Sequence, residues 1–381
     1  MAPQGTTRKR ITACAAVAAL VLAFPATAEP AAAAPWQALE RAIAAGEFPK
    51  TTSVLVARHG TLLYERYFGG GGPEVLNDTR SATKSVTALA VGAALADGAL
   101  PSLDAPAFGF LGHLAPFAHD GALKRAITLR DLLTMSSALD CDDSVEASPG
   151  NEERMYGEHS WARFAADLPV RADYARDAGG LGPFHYCTAG VLLLGQVLER
   201  ATGSAVDAYI ERRLFAPLGI SRSEWPRSPG GEVMTGGGLR LKSRDLLALA
   251  MLVGARGSWH GASLVPAAFV AAALAPQRHA NAEQDYGYLF WQRSFASPCG
   301  AHRAAYMGGN GGNAVLVFED LDAAVVVTRR NYNTRGMHQE TVRLLETYVL
   351  DALCAAAQNS PPSAAARATT ARAASSPSIA P

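Results

Sequence analysis

The spacing of apolar residues changes several times along this chain. Trp36, Leu39 and Ile43 fall at helical intervals, which predicts a helix within residues 29–50. Thr51 to Ala57 alternates and is rich in β-branched residues. His59-Gly60 then turns the chain and Leu62 to Phe68 returns, which predicts a hairpin. After the loop from Gly69 to Pro73, the stretch Ser81 to Asp97 reads as an Ala-rich apolar helix ended by Gly98. Between about 99 and 227 helical patterns dominate, as in Leu129–Met135 and in Val191–Ala201, the latter stopped by Gly203. Beyond 228 the pattern is mixed. Asp245–Val253 predicts a helix. Tyr286–Arg293, Ala304–Gly308, Ala314–Phe318 and Ala323–Arg329 predict strands, the last two joined by a turn at Glu319–Asp322. Met337–Leu353 predicts a closing helix.

An early and a late hairpin, each flanked by helices, point to an α/β fold of the α+β type. One antiparallel sheet is covered by helices and carries an inserted, mostly helical domain. The expected layout is a signal peptide at 1–28, a sheet domain built from 29–98 and 228–355, a helical insertion at 99–227, and a tail at 356–381. That tail is almost entirely Ala, Ser, Pro, Thr and Arg, a composition that cannot bury enough apolar surface to order itself.

Composition narrows the function. The 381 residues are 49% hydrophobic and 18% charged, which excludes a wholly disordered chain. Lys plus Arg total 34, as do Asp plus Glu, but the bases are spread unevenly. Residues 29–354 carry 29 bases against 34 acids, a net charge of −5. A mildly acidic body leaves no electrostatic footprint for nucleic acid. Arg8-Lys9-Arg10, the apolar run Ile11 to Phe24 and the small-x-small site Ala26-Thr27-Ala28 read as an export signal. The expected location is periplasmic or secreted, with no membrane span left once the signal is removed. Four cysteines remain, Cys141, Cys187, Cys299 and Cys354, and they allow three disulfide pairings. No Cys/His spacing suggests zinc, and neither a metal nor a cofactor is expected.

Three segments carry candidate chemistry. Ser81-Ala82-Thr83-Lys84 places a hydroxyl and an amine three residues apart, on one face of a helix. Ser81 lies at the expected helix start, where free amides favour a developing negative charge. Apolar neighbours from Val86 to Leu95 would desolvate Lys84, so that a neutral amine accepts the serine proton. Phe184-His185-Tyr186-Cys187-Thr188 presents Tyr186 between a Gly-rich loop and an apolar helix. A phenol there can relay a proton if a nearby cation lowers its pKa. Tyr306 to Asn313 is a Gly-rich strand edge whose amides can approach a ligand. It is not a phosphate cradle, because no G-K-S/T follows and no helix opens there.

Taken in order and spacing, Ser81-x-x-Lys84, Tyr186-x-Thr188 and the strand edge at Gly308 resemble the serine β-lactamase and penicillin-binding family. Thr128 to Ser137, Gly190 to Gly203 and Gly236 to Leu246 resemble the flanking segments of that family. The likeness covers roughly residues 36–354. It lies nearest the class C branch, with its family VIII esterases and 6-aminohexanoate-oligomer hydrolases. The resemblance implies acyl-enzyme chemistry at Ser81, with Lys84 as base and Tyr186 as proton relay. It also implies an oxyanion hole from the Ser81 amide and that of Gly309 or Asn310. Two positions depart from the family pattern. Thr188 stands where the tyrosine motif usually has Asn. Tyr306 stands where the third motif usually begins with Lys or His, the cation that helps hold a penicillin carboxylate. These departures favour a small-molecule carboxylic ester or amide as substrate over a β-lactam. The alternatives are a β-lactamase or D-Ala-D-Ala peptidase, or a binding protein of the same fold that has lost catalysis. A further alternative is a Ser-His-Asp hydrolase using His185 or His302. The acids Asp140, Asp142 and Asp143 are expected in a solvated loop, and Tyr156 and Trp161 are candidate pocket residues or ordinary packing.

Overall fold

The computed structural model describes residues 33–358. The expected signal peptide and the end of the chain from 359 onward lie outside the described residues. Helix α1 (Ala33–Ala44) leads into strands β1 (Thr51–Arg58) and β2 (Thr61–Tyr67). The principal helices that follow are α2 (Thr83–Ala96), α3 (Thr188–Thr202), α4 (Ser243–Gly254) and α5 (Ala267–Leu274). Six strands then run in succession. They are β3 (Arg278–Asn281), β4 (Gln284–Tyr286), β5 (Trp291–Ser297), β6 (Gly300–Gly309), β7 (Asn313–Phe318) and β8 (Ala323–Arg329). Helix α6 (Met337–Leu344) passes through a π-helical turn at Leu345–Val349 into α7 (Leu350–Gln358).

The eight strands form one sheet in the order β2-β1-β8-β7-β6-β5-β4-β3, with antiparallel pairing throughout. The order follows from burial. In β1, β7 and β8 nearly every residue is buried, so these strands must lie in the middle with both faces covered. Period-two alternation sorts their side chains into two cores. Leu55, Val315, Val317 and Val326 pack on the front with α2, α3 and α4. Val54, Val56, Leu316, Phe318, Val325 and Val327 pack on the back with α1, α6 and α7. Each large side chain so buried contributes about 1.5–3 kcal/mol before the ordering entropy is counted.

Between residues 99 and 227 the chain carries helices and isolated bridges, with no extended strand among the described residues. Helix α3 runs through the front core, its residues from Thr188 to Leu198 buried, and Gly203 ends it at a left-handed φ of 66°.

Three expectations need correction. The run Tyr286–Arg293 is not one strand. β4 stops at Tyr286 and β5 begins at Trp291. Gly287 approaches the carbonyl of Ala273 so closely that a Cβ would lie 1.9 Å from it, and Leu289 takes a φ of 58°. Ser81 does not open the α-helix itself, because Arg80–Ala82 form a 3-10 turn and α2 begins at Thr83. The closing helix continues to Gln358, three residues into the expected tail.

Candidate active site

The site is assembled around the turn before α2. Asn77 and Asp78 pair with Leu241 and Arg240 in a two-residue ladder. Thr79 donates its amide at 3.0 Å and its hydroxyl at 2.7 Å to the carbonyl of Leu239. Arg80 is held at a φ of 50°, a region that non-glycine residues seldom occupy. Its carbonyl accepts the Thr83 hydroxyl at 2.7 Å and the Gly238 amide at 3.2 Å. The backbone just before Ser81 is therefore over-determined by its neighbours, as strained positions at reactive sites must be.

Lys84 lies in the first turn of α2 and is only 1% exposed. Its Nζ donates to Ser81 Oγ at 3.2 Å and to the carbonyl of Gly236 at 2.5 Å. The same nitrogen sits 5.0 Å from the centre of the Tyr186 ring. Tyr186 stands just before α3, and the Ser81 side chain is close enough to its phenol to pull the phenol's pKa down. Tyr186, more than a hundred positions along the chain, is thus brought together with Ser81 and Lys84. The charge logic differs from expectation at Tyr186. Burial pushes the phenol up, and the nearby Lys84 and Ser81 only partly offset this.

One wall of the site is aromatic. Trp291 stacks on Tyr186 with centroids 5.5 Å apart and planes at 25°, and Tyr286 meets Tyr186 edge-on at 6.2 Å. The sequence reading missed Trp291 and Tyr286.

The other wall is the end of β6. Pairing with β5 runs from Gly300 to Tyr306 and then stops, whereas pairing with β7 continues to Gly309. Met307, Gly308 and Gly309 therefore present an edge with no partner in β5. Gly309 presses against the nucleophile's turn. A Cβ there would lie 2.1 Å from the Thr79 carbonyl oxygen and 3.4 Å from the Ala82 amide nitrogen. Asn310 is turned elsewhere, its Nδ2 donating to Asn333 Oδ1 at 2.8 Å and its Oδ1 accepting the Asn333 amide at 2.9 Å.

The two departures have local explanations. Thr188 is the first residue of α3 and fully buried, and its Oγ1 has no hydrogen-bond partner. The Tyr306 hydroxyl accepts a bond from Gln284 Nε2, and burial pushes it up to about 12. Arg293, whose charge opposes that rise, is itself paired with Glu283 at 3.2 Å.

The acidic loop is not a plain solvated loop. Asp143 accepts the Thr188 amide at 2.7 Å and the Glu152 amide at 3.0 Å, and it feels the charge of Lys84. Asp142 takes up His185 at 3.1 Å, and Asp140 lies 3.7 Å from Arg171. The disulfide Cys141–Cys187 joins this loop to the residue after Tyr186. A second disulfide, Cys299–Cys354, links the β5–β6 turn to α7. His302 lies beside that second bond and is held by Asp320 at 2.6 Å. Neither candidate histidine is the partner of Ser81, whose hydroxyl meets Lys84 and Tyr186 instead. Cys299, His302 and Cys354 hold their ligand atoms within 4.8 Å, but both sulfurs are consumed by the disulfide. Trp161 is buried in the front core, and Tyr156 stays 43% exposed on the rim, bonded to Glu152.

Cavity size does not pick out the reacting groups. A crevice of about 520 Å³ is lined by Ala57, Met251, Trp259 and Val317 and includes none of Ser81, Lys84 and Tyr186. An open pocket of about 560 Å³ lies beside Asp143, with Glu146, Asn151, Glu153 and Arg154 in its wall. No described helix is long and apolar enough to cross a membrane.

Comparison with known proteins places these features in a lineage. The Beta-lactamase family model matches residues 39–348. A 6-aminohexanoate-dimer hydrolase of Paenarthrobacter ureafaciens is 25% identical over 252 residues, 64% of this chain and 62% of that protein. Esterase EstB of Burkholderia gladioli is 32% identical over 183 residues, 44% of each chain. The chain thus matches about three-fifths of the length of the first relative and under half of the second. Among solved structures, EstCE1, a hydrolase with promiscuous acyltransferase activity, superposes with a TM-score of 0.65 at 18% identity, covering 83% of this chain and 98% of that one. A putative 6-aminohexanoate-dimer hydrolase from Bacillus anthracis gives 0.62 at 16% identity, covering 77% and 78%. At these identities the structural matches speak for the fold alone.

Proposed function

Because this chain belongs to the beta-lactamase family, we propose that it is a serine hydrolase that cleaves a small carboxylic ester or amide through an acyl-enzyme at Ser81. The observation that carries this reading is the contact of Lys84 Nζ with Ser81 Oγ at 3.2 Å, with the Tyr186 ring centre 5.0 Å from the same nitrogen. Among the described residues, those up to 98 and from 228 to 355 act as the sheet domain and 99–227 as the helical insertion, with the site between them.

In acylation, Lys84 in its neutral form takes the Ser81 proton as Oγ bonds to the substrate carbonyl carbon. The carbonyl oxygen becomes an oxyanion, held by the amides of Ser81 and Gly309. The intermediate then collapses. The bond to the leaving group breaks, and the leaving atom receives a proton from Tyr186, which is replenished from Lys84. In deacylation a water gives its proton to the same pair and its oxygen to the acyl carbon, and Ser81 leaves with its proton restored. A phenol pushed up by burial favours the donor role in the first half. Relatives named as an esterase and as a 6-aminohexanoate-dimer hydrolase support an ester or linear amide as the bond cleaved. Two disulfides and the sequence of residues 1–28 support export to an oxidising compartment.

The test is turnover of a nitrophenyl ester together with labelling by a fluorophosphonate. Ser81→Ala is expected to lose more than about a thousandfold in kcat and to form no adduct. Full activity in that variant removes the proposal. Turnover of a β-lactam equal to that of the ester favours the β-lactamase or peptidase alternative. A wild-type protein with neither turnover nor adduct is the inert binding protein.

A further inference from the structure

From His185 to Thr188 the Tyr186 segment is fastened to the acidic loop at each residue. Asp142 Oδ2 meets His185 Nδ1 at 3.1 Å. The Asp143 amide donates to the Tyr186 carbonyl at 2.8 Å. Cys141 is bonded to Cys187. Asp143 Oδ2 accepts the Thr188 amide at 2.7 Å. The remaining oxygen, Oδ1, accepts the amide of Glu152 at 3.0 Å and so anchors the next short helix, Glu152–Met155. A single side chain therefore uses both carboxylate oxygens on backbone amides, one of them two residues from the phenol.

The charge of Lys84 acts on the same carboxyl and lowers its pKa, and the hydrogen-bond acceptors of Lys84 itself are a hydroxyl and a carbonyl, neither of them charged. Once Lys84 has taken the Ser81 proton it is a buried ammonium, which is costly without a counter-charge, and the carboxylate offsets that cost. The chain also lacks the asparagine amide usual at position 188, where Thr188 has an unpartnered hydroxyl.

We propose that Asp143 is a positioning residue of this active site, its carboxylate holding the Tyr186 segment through the Thr188 amide and supplying the counter-charge that faces Lys84. This inference rests on the serine hydrolase reading. Asp143 touches no reacting atom. It acts through Tyr186 and Lys84, so its loss lowers kcat and leaves KM nearly unchanged.

Four titratable groups from the surrounding elements face Asp143. They are Lys84 from α2, Tyr186 before α3, Glu152 and Tyr156. Glu153, Glu146 and Arg154 share its pocket. Burial pushes the Asp143 carboxyl up to about 6, with Glu152 adding to the rise and Lys84 opposing it. The wild-type kcat is therefore expected to fall as the pH drops through about 6, where protonation removes the counter-charge.

The experiment compares wild type, Asp143→Asn and Asp143→Glu on a nitrophenyl ester across pH 5 to 8, with fluorophosphonate labelling rates and thermal midpoints alongside. Asp143→Asn is expected to lose about tenfold to a hundredfold in kcat at pH 7, to keep KM within about twofold, and to lose the acid limb. Asp143→Glu, which restores the charge, is expected to regain part of the rate. Wild-type kcat and a wild-type acid limb in folded Asp143→Asn overturn the proposal. If Asp143→Asn does not fold, the wild-type profile decides, since a kcat flat through pH 6 overturns it equally. A wild type that labels at Ser81 while Asp143→Asn labels at the same rate overturns this inference and leaves the hydrolase reading intact. A wild type that neither labels nor turns over overturns both.

Discussion

Strand β6 has two ends that look alike in composition and differ in what they hold. At one end, Gly309 lies against the turn of Ser81, while the disulfide Cys141–Cys187 fixes the residue after Tyr186. At the other end, Gly300 follows the turn that Cys299 ties to α7. The strand is ten residues long, so its ends lie roughly 30 Å apart at the rise of an extended strand. The two disulfides span 46 and 55 residues, and loop-closure entropy assigns each about 4 kcal/mol. Equal cross-links thus have unequal consequences. One fixes residues that meet the nucleophile, and the other fixes a surface turn to a helix. Glycine and cystine mark constraint in both places, but chemistry in one.

The largest effect that would sharpen this contrast is at the glycines. In Gly309→Ala the new methyl would lie 2.1 Å from a backbone oxygen that cannot move without moving Ser81. A loss of about a hundredfold or more in kcat is expected, in the range for a displaced oxyanion donor. Gly300→Ala meets no atom within 4 Å but must keep a φ of 125°. It is expected to cost about 1 kcal/mol of stability, with kcat per folded molecule unchanged. Steady-state kinetics with thermal melts checks both. An active Gly309→Ala breaks the contrast at its strongest point.

Next in size is the pair of disulfides. Replacing Cys141 and Cys187 together by Ser is expected to cost about 2–4 kcal/mol and to lower kcat about tenfold, because Tyr186 loses its covalent neighbour. Replacing Cys299 and Cys354 together by Ser is expected to cost a similar stability, about 2–4 kcal/mol, with kcat within about twofold of wild type. Denaturant unfolding gives the first quantity and active-site titration with a fluorophosphonate normalises the second. Equal kcat in the two double variants would mean that Asp143 and the backbone bonds suffice to place Tyr186.

Local pattern revealed β7 and β8 because short runs such as Ala323–Arg329 are bounded by turns and buried on both faces. It also revealed Ser81 and Lys84, since three residues bring both groups to one side of a helical turn. It failed at Tyr286–Arg293, where Leu289 and Phe290 continue the apolar run. The break there comes from Gly287 meeting the Ala273 carbonyl, a contact between distant segments. Trp291 was invisible as a site residue for the same reason, since its stacking on Tyr186 is tertiary. Asp143 was read as solvated because its neighbours are polar. Had the pairing of Cys141 with Cys187 been known, it would have placed that acid beside Tyr186. The three possible pairings left this open.

The smallest effect expected lies at Tyr306, midway between the ends in function. It occupies the place where the family has a cation, yet its ring packs toward the back core against Phe295, with centroids 6.4 Å apart. Its hydroxyl is taken by Gln284. Tyr306→Phe leaves the ring in place and removes that bond, a cost of about 1 kcal/mol of stability. Ester kcat/KM is expected to stay within about threefold of wild type, because neither Ser81 nor Lys84 loses a partner. A fall of more than about thirtyfold at unchanged stability would move the boundary of the site. The Tyr306 hydroxyl would then act on the substrate, and the reactive end of β6 would begin three residues before Gly309.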